Sequence, residues 1–301
     1  MSAAHRLPGR DLVLIGIICV AWAGNFLSSA YALKEFPPFL FTALRLVLLA
    51  IVLVPFLTRP RAGQWPRLIA VCLANGVLHF GLSFWALREA GNLASPAIVL
   101  QTYVPMAALL AWWLLGERFG WRTGTAIAAS FAGVLVLGFD PLVLEAPAAL
   151  GLMLVSAFFL ALGTVLMRGI EGMSPFALQG WTAVIGIAPL LVLSTWLEPD
   201  GRAAFNGASW IGWGGVAYSA LISSLLGHGL YFSLIRRHPV ARITPLLLLA
   251  PLLAVGLGVW IWGDTPGPRL WFGGALVLAG VLVIALRNLA KARPTPPAED
   301  A

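Results

Sequence analysis

Residues 84–137 read FWALREAGNLASPAIVLQTYVPMAALLAWWLLGERFGWRTGTAIAASFAGVLVL, and residues 231–284 repeat the pattern as YFSLIRRHPVARITPLLLLAPLLAVGLGVWIWGDTPGPRLWFGGALVLAGVLVI. The offset is a constant 147 positions. At that offset Ala132–Leu137 (AGVLVL) falls on Ala279–Ile284 (AGVLVI), and Gly116-Glu117 falls on Gly263-Asp264. Trp113 falls on Trp260, Leu100 on Leu247, Ala94 on Ala241 and Leu87 on Leu234. A short match is expected by chance in so apolar a chain. A register kept across the whole stretch, including a Gly-acid turn, indicates one unit duplicated.

Composition decides the solvent. Hydrophobic residues make up 60% of the chain and charged residues 10%, against about 25% charged in an ordinary soluble domain. Apolar runs of about 20 residues follow one another with short polar breaks, the signature of helices that cross a bilayer. Strand-like alternation is absent, and only helices or closed barrels satisfy the backbone in lipid. The expected fold class is an all-α polytopic membrane protein. The net charge of +7 lies in the loops and orients the chain, so no nucleic-acid partner is expected. Cys19 and Cys72 fall inside apolar runs and read as small buried thiols.

Ten spans are expected, at about Leu12–Ala30, Phe39–Leu57, Arg67–Leu87, Ser95–Leu115, Arg122–Phe139, Ala148–Met167, Pro175–Leu197, Trp210–Ile235, Ile243–Trp262 and Arg269–Leu286. The first run imitates a secretory signal, with Arg6 and Arg10 before it and Ala21-Trp22-Ala23 within it. Removing it would leave an odd number of spans and break the repeat, so it reads as a span. The first copy covers 11–139 and the second 147–286, and the polar, proline-rich residues 287–301 read as a disordered cytoplasmic tail. A five-helix unit enters the membrane from opposite faces in its two copies, which predicts an inverted repeat.

Charge placement tests this. With the N-terminus inside, the inner side carries Arg6, Arg10, Arg59, Arg61, Arg67, Arg118, Arg122, Arg168, Arg236, Arg237, Arg242, Arg287, Lys291 and Arg293. The outer side carries Lys34, Arg88, Arg202 and Arg269. So strong a bias predicts both termini in the cytoplasm of a cell with the chain in its inner membrane.

The motifs can now be set in order: Ala21-Trp22-Ala23-Gly24-Asn25-Phe26, Pro37-Pro38 followed by Arg45, Pro105 then Gly116-Glu117-Arg118, and Pro251 then Gly263-Asp264. With these pieces the chain resembles the EamA-type transporters of the drug/metabolite transporter superfamily, over about residues 11–286. Within them it looks most like the bacterial branch that exports amino acids and related metabolites such as O-acetylserine and cysteine. Gly263-Asp264 departs from the usual Gly-Glu of the second copy. The resemblance implies ten helices around a central cavity and alternating access by rocking of helix groups. A small-molecule substrate and the lipid bilayer are the expected partners; homodimerisation is left open. A multidrug exporter or an uncoupled facilitator is the alternative reading.

Arg45 is the one base well inside a span, roughly 10 Å past Pro38 at 1.5 Å per residue. It reads either as a contact for a substrate carboxylate or gating pair, or as a snorkelling or carbonyl-bonded structural group. Its counterpart in the second copy is Thr182, so any recognition of charge is asymmetric. No acid lies deep in a span, and His79 and His228 are left as the midplane candidates for proton coupling. The alternative for each is a neutral ring bonded to a neighbouring helix.

Asn25 and Thr164 follow equivalent glycines. With Asn75, Gln101, Tyr103 and Tyr218 they offer uncharged donors and acceptors for a solute, or ordinary bonds between helices. Trp22, Trp85 and Trp181 are candidates to line the cavity. Pro105 and Pro251 should break their helices at matched places, the best pointer to a binding site in an inverted repeat. No HExxH, deep acid pair or Cys-His neighbourhood is present, so no catalytic residue, metal or cofactor is expected.

Overall fold

The computed structural model describes residues 7–238 and 240–291. Among them there is no strand, and ten helices are long and apolar enough to cross a membrane. They are α1 (Gly9–Ala32), α2 (Pro38–Phe56), α3 (Trp65–Ala90), α4 (Ala94–Leu115), α5 (Trp121–Gly138), α6 (Pro147–Met167), α7 (Pro175–Leu197), α8 (Trp210–Arg237) and α9 (Arg242–Trp262). The last, α10, runs over Pro268–Lys291. The protein is a polytopic helical membrane protein. Large apolar side chains such as Trp113, Trp196, Trp210 and Trp260 stand exposed; lipid, not water, is their natural solvent.

Three helices begin at prolines flagged in the sequence (Pro38, Pro147 and Pro175), where the missing N–H costs nothing. Gly116 and Gly263 end α4 and α9 at φ 68° and 90°, a left-handed conformation that only glycine adopts cheaply. That is why the Gly-acid turn recurs. The tail expected from 287 instead continues α10 to Lys291, since no proline intervenes before Pro294. Residues 292–301 lie outside the described residues.

Helices at equivalent places in the two copies pack on each other: α5 on α10 and α2 on α7. At the α5–α10 crossing a Cβ added to Gly133 would lie 2.5 Å from Gly273 O and 2.8 Å from Val277 N. Shifting every residue by 147 and exchanging the copies predicts the same clash of Gly280 with Ala126 O and Ser130 N, and both are found, at 2.5 and 3.2 Å. Ser130 Oγ also donates to the carbonyl of Val277, its own equivalent. As numbering rises along α5 the contacts fall along α10, so the pair is antiparallel. One further set exchanges likewise: α1 lies on α8 and α9 as α6 lies on α3 and α4.

Two sets of polar ties close the ends of the bundle. One end holds Asp11 with Arg237 and His238, Arg61 with Glu171, and Arg168 with Glu117. The other holds Glu198 on the amides of Phe39 and Leu40, Asp264 on those of Leu93 and Ala94, and Glu35 on Ser209.

Candidate functional site

α3 and α8 each widen into a π-turn, over Leu73–His79 and Tyr218–Gly227. The first, moved by 147, falls inside the second. A π-turn releases carbonyls from the ordinary ladder and is common at functional positions. In α8 side chains take them up: Ser224 Oγ donates to Ser219 O at 3.0 Å, Trp22 Nε1 to Ser223 O at 3.3 Å, and Gln179 Nε2 to Ser224 O at 3.1 Å. In α3 the hydroxyl of Ser156 donates to His79 O at 2.9 Å.

Arg45 projects from α2 onto this junction and is 2% exposed. Its Nη2 donates to Ser224 Oγ. Its guanidinium lies 3.9 Å from the centre of the Phe80 ring, with Phe84 at 5.4 Å, a cation–π contact that offsets part of the burial. Nε and Nη1 have no partner, and among the described residues no carboxylate reaches the group. It therefore neither snorkels nor bonds to the carbonyls of a broken helix. Gln179 Oε1 and Ser219 Oγ, on residues that bond to Ser224, are also buried and unpaired, as is Asn75 Oδ1 in the α3 π-turn. Buried polar atoms are nearly always satisfied, so orphans gathered around Ser224 on α2, α7 and α8 are the mark of a site.

Both candidate histidines sit at the π-turns. Ser156 spends its proton on His79 O, so it must accept from His79 Nδ1 at 2.9 Å. His228 Nδ1 faces Ser224 O at 3.2 Å and must donate as well. Each ring is thus held with its proton on Nδ1, leaving Nε2 as the acceptor in the neutral form. Trp22 packs on His228 with ring centres 5.3 Å apart.

The glycines of α1 and α6 have matching tasks. The Tyr218 hydroxyl fills the space beside Gly24, and the Asn75 amide that beside Gly163. Asn25 accepts from Ser29 along its own helix, Thr164 bonds to Leu160 O and Gln101 reaches back to Ala97 O. Tyr103 packs with Met106, Ala161 and Val165. Trp181 does not join the cluster: its Nε1 donates to Thr58 O and its ring meets Trp65 at the end of α3. Trp85 meets Phe39 and bonds to Glu89.

Both expected proline breaks have a structural trace. α4 tightens into a 3₁₀ turn at Leu100–Thr102, and α9 is interrupted at Leu248. Each lies where a missing proline N–H frees the carbonyl four residues earlier. The π-turns, which the sequence reading did not anticipate, lie closer to Arg45.

An apolar hollow of about 390 Å³ opens between α2, α7 and α8, lined by Leu53, Phe56, Phe176, Leu225 and Gly229.

Set against known proteins, the chain is matched by the EamA-like transporter family model over residues 11–139 and 147–286. It belongs to that family. Among EamA relatives, it is 27% identical over 284 residues to a probable amino-acid metabolite efflux pump of Escherichia coli (strain K12), covering 91% of this chain and 94% of the other. It is 29% identical over 257 residues to a probable terminal-alkyne amino-acid exporter of Streptantibioticus cattleyicolor, covering 82% of each. An uncharacterized inner membrane transporter of E. coli is 25% identical over 94% of both chains. A solved crystal structure matches with TM-score 0.59 at 20% identity, over 95% of this chain and all of the other, and shows the same fold. The EamA family places the chain among transporters.

Gln179, Ser156 and Asp11 escaped the sequence reading. Asp11 lay just outside the expected first span, yet it is 3% exposed and ties α1 to the end of α8 through Arg237 at 2.7 Å and His238 at 2.6 Å. An acid one residue before an apolar run, answered by Arg-His at the end of another, was the available signal.

Proposed function

We propose that this protein exports amino acids or related small metabolites across the inner membrane, and that Arg45 receives the substrate carboxylate. The observation that carries the reading is the buried guanidinium with two of its nitrogens, Nε and Nη1, unpaired and no acid against it among the described residues. A charge left so in a bilayer costs about 2.5–3.5 kcal/mol on insertion scales, and such groups serve function by default. An arriving carboxylate would supply the missing acceptors in a charge-assisted pair. The names of the E. coli and Streptantibioticus relatives point to the same substrate class.

Inversion of the two copies supports alternating access: the symmetric crossings of α5 with α10 and α2 with α7 suit rocking of one copy against the other about a fixed central site. The two π-turns mark where α3 and α8 can bend.

Energy coupling has a second reading. The His79 and His228 rings are engaged in bonds to Ser156 and Ser224, which favours a facilitator without proton exchange. Reconstituted protein in liposomes, challenged with a panel of amino acids with and without a pH gradient, tests both readings. Saturable amino acid flux is expected. Stimulation by the gradient that disappears in the His79→Gln, His228→Gln double variant would restore proton coupling; absence of any flux would sink the transport reading.

A further inference from the structure

Arg45 leaves donors unused, whereas the residue that shares Ser224 with it leaves an acceptor. Gln179 Nε2 donates to Ser224 O at 3.1 Å, while Arg45 Nη2 donates to the hydroxyl of the same serine. Only the NH₂ side of the amide can donate to a carbonyl, so the orientation is fixed. Oε1 therefore points away from Ser224 O, buried and without a donor. One serine thus brings together a cation with free N–H groups and a neutral carbonyl lacking a proton.

We propose that Gln179 Oε1 reads the α-ammonium group of the substrate, and that the pair selects zwitterions bearing both charges on one carbon. The proposal rests on the assignment of Arg45 to the carboxylate. A carboxylic acid without the amine fills only the Arg45 side and leaves Oε1 unsatisfied. An amine without the carboxylate meets the uncompensated guanidinium and is repelled. An N-acetylated amino acid keeps one N–H, loses the positive charge and adds bulk against α7. The choice of an amide over an acid has a physical reason. A buried aspartate or glutamate would pair with Arg45 in the empty site and would compete for the guanidinium that the carboxylate needs. A neutral carbonyl cannot form that ion pair, and leaves no stranded anion after the substrate departs.

The test is counterflow in proteoliposomes of the full chain. Each radiolabelled L-amino acid is tried, and for whichever is carried, its deamino acid and N-acetyl derivative are used as inhibitors. The wild type is expected to favour the amino acid over the deamino acid. Gln179→Leu should raise the KM for the amino acid about tenfold while leaving the inhibition constant of the deamino acid within about twofold of wild type. Gln179→Met, closer in shape to glutamine should the leucine variant not insert, removes the same carbonyl without adding a charge and should change the ratio of the two constants in the same direction. Equal weakening of amino acid and deamino acid by both variants, or no change in the ratio in either, overturns the proposal. Arg45→Gln separates it from the underlying reading. It should weaken both compounds alike; if it affects neither, the carboxylate assignment itself fails. Silent Gln179 variants beside a deleterious Arg45→Gln remove only the ammonium contact.

Discussion

Arg45 carries the strongest prediction at the residue scale because no carboxylate among the described residues neutralises it. Arg45→Ala should reduce flux by tenfold or more, since a desolvated charged hydrogen-bond pair is worth about 1.5–3 kcal/mol. Arg59→Ala, on an exposed loop, should leave flux near wild type. Flux measured at equal protein in the bilayer checks this, and equal losses in the two variants would remove the case for Arg45. Arg45→Lys keeps the charge but lacks the planar fork that meets a carboxylate with two bonds, so it should rescue only part. The residue was legible in the sequence as the one deep base, but its environment was not. Composition shows which side chains are polar, not which of them meet. Trp181 and Gln179 lie two positions apart on α7; the first reaches Thr58 and Trp65 at the rim and the second reaches Ser224 in the centre.

Elements were read more reliably than their distortions. The apolar runs located all ten spans, since length and hydropathy are set by the bilayer. The π-turns in α3 and α8 were invisible because no proline or other covalent cause produces them; side chains collect their carbonyls, Trp22, Gln179 and Ser224 in α8 and Ser156 in α3. Helix ends give a sharper test. Asp264 accepts from the amides of Leu93 and Ala94 at 2.9 Å and so caps α4, while burial pushes its carboxyl above the ordinary aspartate range. A raised carboxyl pKa means that folding favours the protonated form. The group's contribution is therefore largest below the unfolded pKa and declines as pH rises through the folded value. At neutral pH Asp264→Asn should keep the cap without the burial penalty and leave thermal stability in detergent equal to or above wild type. Asp264→Ala should lose about 1 kcal/mol. An asparagine variant as weak as the alanine variant would show that the charge itself is needed. The α5–α10 crossing has no such tolerance. Gly133→Leu and Gly280→Leu should each destabilise by about 1–3 kcal/mol through overpacking, and by similar amounts because their surroundings are equivalent. A large effect at one and none at the other would argue against two-fold packing there.

At the scale of the whole molecule the question is which way the bundle stands in the membrane, and the polar ties show which segments share an end before any charge is counted. Asp11 meets Arg237 and His238, Arg61 meets Glu171, and Arg168 meets Glu117. Together with the alternation of successive spans, these contacts place the start of α1 at the same end as the segments after α2, α4, α6 and α8. Glu35 with Ser209, Asp264 with Leu93, and Asp140 with Gly267 and Leu270 gather the intervening segments at the other end. The first end is the arginine-rich one, so the positive-inside rule predicts that it faces the cytoplasm. The duplicated pattern made this topology legible, whereas the register of the crossings needed the coordinates. The prediction is made in a Cys19→Ala, Cys72→Ala background with single cysteines introduced in the loops. An impermeant maleimide added to intact cells should label Lys34→Cys, Glu145→Cys and Pro266→Cys. It should reach Arg61→Cys, Phe119→Cys and Gly172→Cys only after the membrane is opened. The reverse pattern would keep the fold but turn the exporter around. Labelling of both groups in intact cells would leave no consistent inside, and with it no fixed central site for two opposed copies to rock about.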